Sequence, residues 1–398
     1  MRRLYRYLPP FAGDYSGVGS ALYELGGMLC IHDASGCTGN YVGFDEPRSY
    51  DSKQLVYCTG LRRDDAILGN EEVYIDKIVR AAKDMKPKFV ALVGSPVPLI
   101  IGFDFNGVAK EIEHRLGIPA FGFETGGMKG SYKEGVVMAI NKLLDYYVLP
   151  KKNELVRNAD RSGKKVNIVG ATPLDISEEN LNALKELLKE RGYEVNSVLS
   201  MSNDMEEFLS FYKADVNLAI TQAGALISMD LEEKYDMPFL TGLPIGEFGT
   251  EHYFACLEQV FETGKSMEVS QVPVTVKGNK KGEATVIEDG VIASSIRVEL
   301  IAQGYENVRV VSLFGKDAGM ADIKVEYTEN EDAILEAVNG ESSVLVIADP
   351  LLLKYRENKE GVELVEIPKY AISSKLAHQK RWVYIGNGWK TNVTKEYE

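Results

Sequence analysis

The chain has 398 residues, more than one ordinary hydrophobic core accommodates, and so points to two or three domains. Hydrophobic residues make up 45% and charged ones 26%, the balance of a globular enzyme, while a formal net charge of −14 with no offsetting basic stripe excludes a nucleic-acid partner. No apolar run approaches the 18 residues of a membrane span, and the basic start MRRLYRYLPPF has no long apolar segment behind it. The sequence therefore reads as a cytoplasmic protein with no signal peptide and no membrane partner.

In residues 1–150 the apolar run FVALVGS (Phe89–Ser95), a helical pattern over Phe105–Leu116 and the run IPAFGFE (Ile118–Glu124) read as buried strand, crossover helix and second buried strand. The polar stretch KNELVRNADRSGKK, residues 152–165, reads as a linker. A second lobe, residues 151–270, opens on VNIVG (Val166–Gly170). Its first helix spans about Ser177 to Arg191 and stops at Gly192, where a left-handed cap belongs. YEVNSVLS and DVNLAIT follow as strands. The third lobe, residues 271–398, begins at the hinge-like KGNKKGE. It carries the strands ATVIE, NVRVVSLF and SVLVIAD, with helical patterns over Ser294–Gln303 and Asp332–Val338. The expected fold is α/β: three Rossmann-like β-α-β lobes with parallel sheets and right-handed crossovers around a central cleft. Ligands in such sheets bind at the carboxyl ends of the strands.

Nucleotide motifs are missing from these lobes. Nothing fits G-x-x-x-x-G-K-[ST], and RSGKKVN lacks the leading glycine. The glycines of GVGSALYELGG do not complete G-x-G-x-x-G and precede a strand instead of following one. The sequence is not that of an ATPase or an ordinary dinucleotide binder.

The four cysteines are Cys30, Cys37, Cys58 and Cys256, three of them in the first sixth of the chain. This is no disulfide framework; in a reducing compartment such a cluster binds metal, does redox chemistry or is buried. Cys30 lies two residues before His32 on a strand, so their side chains share a face. Cys256 and His252 fall within a helix and are expected to pack.

The segments SALYELGGMLCIHDASGC, CTGLRRDDAILGN and KPKFVALVGSPVPLIIGFD, in that order, resemble the first lobe of nitrogenase component 1 proteins. LEEKYDMPFLTGLPIGEFGTEHYFACLEQV resembles their second lobe, and ADP, IP and GNGW echo the third. The match covers about residues 15–260 well and the rest loosely. The family includes nitrogenase, dark-operative protochlorophyllide reductase and the reductases of nickel-tetrapyrrole synthesis.

The resemblance implies a subunit-bridging iron–sulfur cluster. Cys37, in HDASGC, matches a family cluster cysteine. The family's earlier cysteine falls near Asp14 or Tyr15, and the later one falls at Ser95 and Pro96. Cys58, ending the strand LVYC, is the best replacement ligand, with Cys30 and Asp14 as further metal ligands. A 4Fe–4S cluster needs about four ligands, so a homodimer giving Cys37 and Cys58 from each chain, or a heterodimer with a paralogous subunit, would complete it. The family's active-site cluster is not expected: the place of its cysteine is taken by Ile220 and Thr221, and the third lobe's histidine, His378, is out of register. Glu46, Arg48 and Glu124 are the expected substrate contacts. Arg62, Arg63, Asp64 and Asp65 sit at a helix start where carboxylates suit the helix dipole.

Two readings of function follow from the resemblance. The first is an oxidoreductase that receives electrons from a separate iron-protein ATPase and reduces a small organic molecule or tetrapyrrole, not dinitrogen. The second is a non-catalytic scaffold or carrier of an iron–sulfur or metal cofactor. A periplasmic-binding-like receptor is disfavoured by the missing signal peptide.

Overall fold

A computed structural model of the chain describes residues 6–50, 54–128, 130–157, 163–314, 325–357, 360–376 and 382–389. Every strand pairing in its three sheets is parallel. The first sheet joins β1 (Met28–His32), β2 (Leu55–Cys58), β3 (Val90–Gly94) and β4 (Ala120–Phe123) in the order β2-β1-β3-β4. The second joins β5 (Lys165–Val169), β6 (Glu194–Val198), β7 (Val216–Ala219), β8 (Phe239–Thr241) and β9 (Met267–Glu268) in the order β6-β5-β7-β8-β9. The third joins β10 (Glu283–Glu288), β11 (Asn307–Ser312), β12 (Val325–Tyr327), β13 (Ser343–Ala348) and β14 (Glu363–Glu366) in the order β12-β11-β10-β13-β14. The α/β architecture of three Rossmann-like lobes expected from the sequence is the one observed.

The apolar runs form central strands because helices cover both faces: all five residues of β1 and all five of β3 are buried. Helix Glu71–Met85 supplies one cover with the stripe Tyr74, Ile75, Ile78, Val79 and Ala82. On the other face helix Asp14–Leu22 is buried over its whole length against helix Tyr132–Tyr147. Small residues make that approach possible: a Cβ on Gly17 would lie 1.8 Å from the Tyr132 carbonyl oxygen. One apolar cluster then runs on through Val169 and Leu199 of the second lobe to Ile287 and Val346 of the third.

The polar stretch after Leu149 is partly regular, with a helix at Lys152–Arg157. The hinge-like KGNKKGE is pinned, because Lys277 and Gly278 donate N–H to Ala302 O at 2.8 Å and Lys280 donates to Gln303 O at 2.9 Å. The helix expected from Ser294 begins earlier, at Gly290, where the Asp289 carboxylate caps it by accepting from Val291 N at 3.0 Å. The first helix of the second lobe matches its signals: Ser177 caps it and Gly192 follows it at φ +83°.

The chain ends cross between lobes. Backbone N–H groups of Arg6, Tyr7 and Leu8 donate to the Glu331 carboxylate at 2.7–2.8 Å. Near the other end, Ile385 bridges to Ile245 of the second lobe.

Candidate functional site

The carboxyl edge of the first sheet is where two of the candidate cluster ligands, Cys37 and Cys58, lie close together. After β1 the Asp33 carboxylate accepts N–H from Ser35 and Thr38, both at 3.0 Å, and folds the chain into the helix Gly36–Asn40. Ser35 takes φ +129°, a costly conformation outside glycine. Cys37 sits in the first turn of that helix, half-buried, behind a glycine with open space where a side chain would be. Cys58 ends β2 beside Ile31 and is exposed; its thiol donates to the Asp33 carbonyl at 3.3 Å. Asp33 thus holds both cysteines, one turn by its carboxylate and one thiol by its carbonyl. The Cys37 thiol is pushed up to about 11 by burial, then by the Asp33 carboxylate and by Cys58 beside it.

Cys30 is not brought to this edge. It does share a face with His32, but that face is core: Cys30 packs among Ile75, Ile78 and Leu92, and burial pushes its thiol up to about 12. His32 is fully buried between Tyr74 and Phe103, its Nδ1 2.7 Å from Thr59 Oγ1. Burial pushes it down to about 4, so its ring is neutral.

Asp14 points to the loop after β4, where its carboxylate accepts N–H from Gly126 and Gly127 at 2.5–3.2 Å. Ser95, expected from the resemblance at a family cysteine position, is buried and donates to His32 O at 2.7 Å. Glu46 is fully buried and the Arg48 side chain is 15% exposed, the two paired with each other. Arg48 forks onto both Glu46 oxygens at 2.7 and 2.8 Å, donates to Ser20 O at 2.8 Å and stacks on Tyr23, stapling the segment after Cys37 to helix Asp14–Leu22. Glu124 directly follows β4, the edge strand opposite that of Cys58, and is exposed, accepting from Asn106 Nδ2 at 3.1 Å. Arg62 precedes helix Arg63–Leu68, with Asp64 and Asp65 in its first turn as expected. His252 and Cys256 lie in helix Glu247–Thr263, His252 bonded to Val269 O at 2.9 Å and Cys256 buried. His378 lies outside the described residues.

A second constellation, missed in the sequence, occupies the junction where the carboxyl ends of strands from all three lobes converge. Lys369, with a fully buried side chain, donates to Asp175 at 3.0 Å and pairs with Glu288 at 2.8 Å. Tyr132 donates its hydroxyl to the same Asp175, and Thr172 adds a bond at 2.9 Å. Asp349 accepts from Lys369 N and Ser373 Oγ, both at 2.8 Å; burial pushes its carboxyl up to about 7. The signal lay in the short ADP and IP echoes, which flank Asp349 and Lys369. At the rim, an opening of about 150 Å³ between the first and third lobes is lined by Phe11, Gly13, Gly127, Ser131 and Phe314. Phe314 packs edge-on against Tyr132 at 4.9 Å between centroids, linking opening to junction.

Among the described residues, no group of three or more His, Cys, Asp and Glu side chains could hold a metal ion within one chain. Nor is any helix among them long and apolar enough to cross a membrane.

The model of the nitrogenase component 1 type oxidoreductases matches residues 14–365. A relative in Nostoc sp., the nitrogenase iron-molybdenum cofactor biosynthesis protein NifE, is 23% identical over 84% of this chain and 68% of its own length. The nitrogenase molybdenum-iron protein alpha chain of Methanosarcina barkeri is 24% identical over 65% of this chain and 49% of its own. One subunit of the light-independent protochlorophyllide reductase of Zygnema circumcarinatum is 21% identical over 46% of this chain and 37% of its own. Apart from the Nostoc protein, the chain spans about half the length or less of these curated relatives. The solved structure described as nitrogenase Cp1 at pH 6.5 superposes with a TM-score of 0.65 at 14% identity, covering 92% of this chain and 87% of that one, which establishes the shared fold. The match over most of its length, with the three parallel sheets that carry it, makes this chain a member of the nitrogenase component 1 type oxidoreductase family.

Proposed function

We propose that this chain is one subunit of a reductase in which Cys37 and Cys58 hold one side of an oxygen-sensitive iron–sulfur cluster, of the 4Fe–4S type. A separate iron-protein ATPase delivers the electrons. The observation that carries this reading is that Asp33 holds the Cys37 turn by its carboxylate and the Cys58 thiol by its carbonyl, at one exposed sheet edge. A bound cluster would supply one-electron chemistry at that edge.

The fit to such a group is half a site, since two thiols stand where about four ligands are required. Twofold pairing of the chain, or pairing with a paralogous subunit, supplies the rest. The rim supports pairing. Phe44 and Tyr50 follow Cys37, Ile67 and Leu68 follow Cys58, and Ile100 follows β3; Leu68 is 79% and Ile100 73% exposed. Apolar side chains gathered around one edge mark an interaction surface.

The substrate of this reading is a small organic molecule, which the 150 Å³ opening admits; a tetrapyrrole requires the first and third lobes to part. Dinitrogen is not the expected substrate. By the family resemblance Ile220 and Thr221 stand where the cofactor cysteine is expected; Ile220 is buried, and the Thr221 hydroxyl caps helix Gln222–Tyr235. The NifE relative favours one second reading, a scaffold that carries a cluster or cofactor without turnover.

Anaerobic purification with iron and sulfide analysis tests the ligand assignment. Cys37→Ser and Cys58→Ser should each lose the brown chromophore and most of the iron while the circular dichroism spectrum stays unchanged. Full iron content in the double variant sinks the proposal. ATP-dependent reduction of the cluster by the ATPase, followed by electron paramagnetic resonance, then tests electron delivery. Substrate-dependent reoxidation separates reductase from scaffold.

A further inference from the structure

Away from the thiol edge and the junction, the second and third lobes meet along a groove of about 440 Å³. Its floor is the last turns of helix Gly290–Gln303, its walls are the start of helix Glu247–Thr263 and the turn at residues 278–280, and residues 387–389 close one end. The walls are held in place. Glu299, 2% exposed, accepts N–H from Gly249 at 2.7 Å and the Gln303 amide at 2.8 Å. The turn is tied to the helix end by the Lys280 bond to Gln303 O.

The donor set is nearly neutral. Glu299 is already committed to these bonds, leaving Glu247 and Lys280 as exposed charges of opposite sign. The remaining polar lining consists of amides, Asn279, Gln303 and Asn387, beside the half-buried ring of Phe248. Trp389 adds the observation that points to a ligand. It is 7% exposed, it lines the groove, and its Nε1–H has no acceptor among the described residues. A buried indole N–H usually finds a partner, and leaving it unpaired is unfavourable. An anion would meet Glu247, and an apolar molecule would leave both the indole and the amides unpaired. Hydroxyl groups both donate and accept, so they can satisfy amides, a carboxylate and an indole together.

We infer that this groove binds a neutral, hydroxyl-rich small molecule of the sugar or polyol class, one of whose oxygens accepts the Trp389 Nε1–H. The chain carries its own reporter, because its two tryptophans, Trp382 and Trp389, lie 5.3 Å apart at the end of the groove. The experiment titrates the whole protein with glucose, galactose, maltose, myo-inositol and glycerol, and in parallel with inorganic phosphate and acetate. Tryptophan emission and calorimetry are both followed. The expected result is saturable binding of at least one of the five, with no response to either anion. Trp389→Phe, which keeps an aromatic ring and removes the N–H, should weaken calorimetric affinity about tenfold, roughly 1.4 kcal/mol. Asn387→Ala, at an exposed position, should weaken it in the same direction while leaving the melting temperature unchanged. Phosphate or acetate binding in place of the polyols overturns the inference, as does the absence of binding by all five, or Trp389→Phe binding at full affinity in a folded protein. None of these outcomes bears on the iron content at Cys37 and Cys58.

Discussion

Replacing Lys369 by Met tests how the junction is held. Among the described residues its ammonium is the cation paired with both Asp175 and Glu288, at 3.0 and 2.8 Å, with all three side chains at most 1% exposed. Methionine fills the stem of the side chain and removes the charge, so two carboxylates from different lobes lose their shared counter-ion. Breaking a buried pair this way costs about 3–5 kcal/mol, and with two carboxylates orphaned by one deletion the upper end applies. The sign with pH follows from Glu288. Burial already raises its pKa in the folded protein, and Lys369 is the chief influence opposing that rise. Without Lys369 the folded value climbs further, and a carboxyl whose folded pKa exceeds its unfolded one loses stability as pH rises between the two. The deficit of Lys369→Met should therefore be larger at pH 8 than at pH 5. Urea denaturation at both pH values measures it, and Glu288→Gln in the Lys369→Met background should restore part of the loss at pH 8. A variant as stable as the parent at pH 8, or a deficit equal at both pH values, refutes the reasoning.

Other substitutions probe the rest of the molecule. Gly17→Ala drives a methyl into the Tyr132 carbonyl, 1.8 Å from its Cβ position, and should cost about 3 kcal/mol in urea denaturation by forcing helix Asp14–Leu22 off helix Tyr132–Tyr147. The Asp349 carboxyl is raised from 3.8 to about 7, so the folded state keeps a proton the unfolded chain releases, and its stability falls as pH rises across that window. Asp349→Asn does not titrate, so the stability advantage of the parent over the variant should shrink from pH 4 to pH 7. Leu68→Glu with Ile100→Glu places charges on the apolar rim and should shift an anaerobic sizing profile from dimer to monomer with loss of iron; a monomer that keeps a complete four-iron cluster contradicts pairing through this edge.

Strands such as β3 and β13 are legible because burial on both faces leaves continuous apolar runs. β8 and β9, with three and two residues, are too short to show any period, and their neighbours in the sheet impose their conformation. The hinge reads as free because it is Lys- and Gly-rich, yet its pinning comes from backbone N–H groups, which composition does not encode. Cys37 and Cys58 are legible through their turn and strand end. That Cys30 and His32 share a face is also legible, but not that helix Glu71–Met85 covers it. Lys369 escapes notice for a different reason: its partner Asp175 is 194 residues away, and a lysine near the chain end reads as a solvated surface residue.

The junction ties the three lobes together at a place separate from the thiol edge. Each lobe contributes to the junction: Tyr132 from the first, Asp175 from the second, Glu288 and Lys369 from the third. Such ions register the lobes without clamping them. Were the lobes to part, the charges would regain the hydration they lost on burial, so the ion pairs resist opening only weakly. What opposes parting is apolar contact, Tyr132 against Phe314 and Phe11 against Phe314, whose exposure to water is never repaid. A molecule too large for the 150 Å³ opening therefore has to compensate for that apolar surface by covering it with apolar surface of its own. A flat conjugated ring meets that requirement, whereas a small polar molecule enters only through the opening as it stands. Under the proposed reductase reading, the choice between the two substrate sizes accordingly rests on Phe314. Trimming it to Ala lowers the apolar barrier to parting and widens the opening, and should favour uptake of the larger class first.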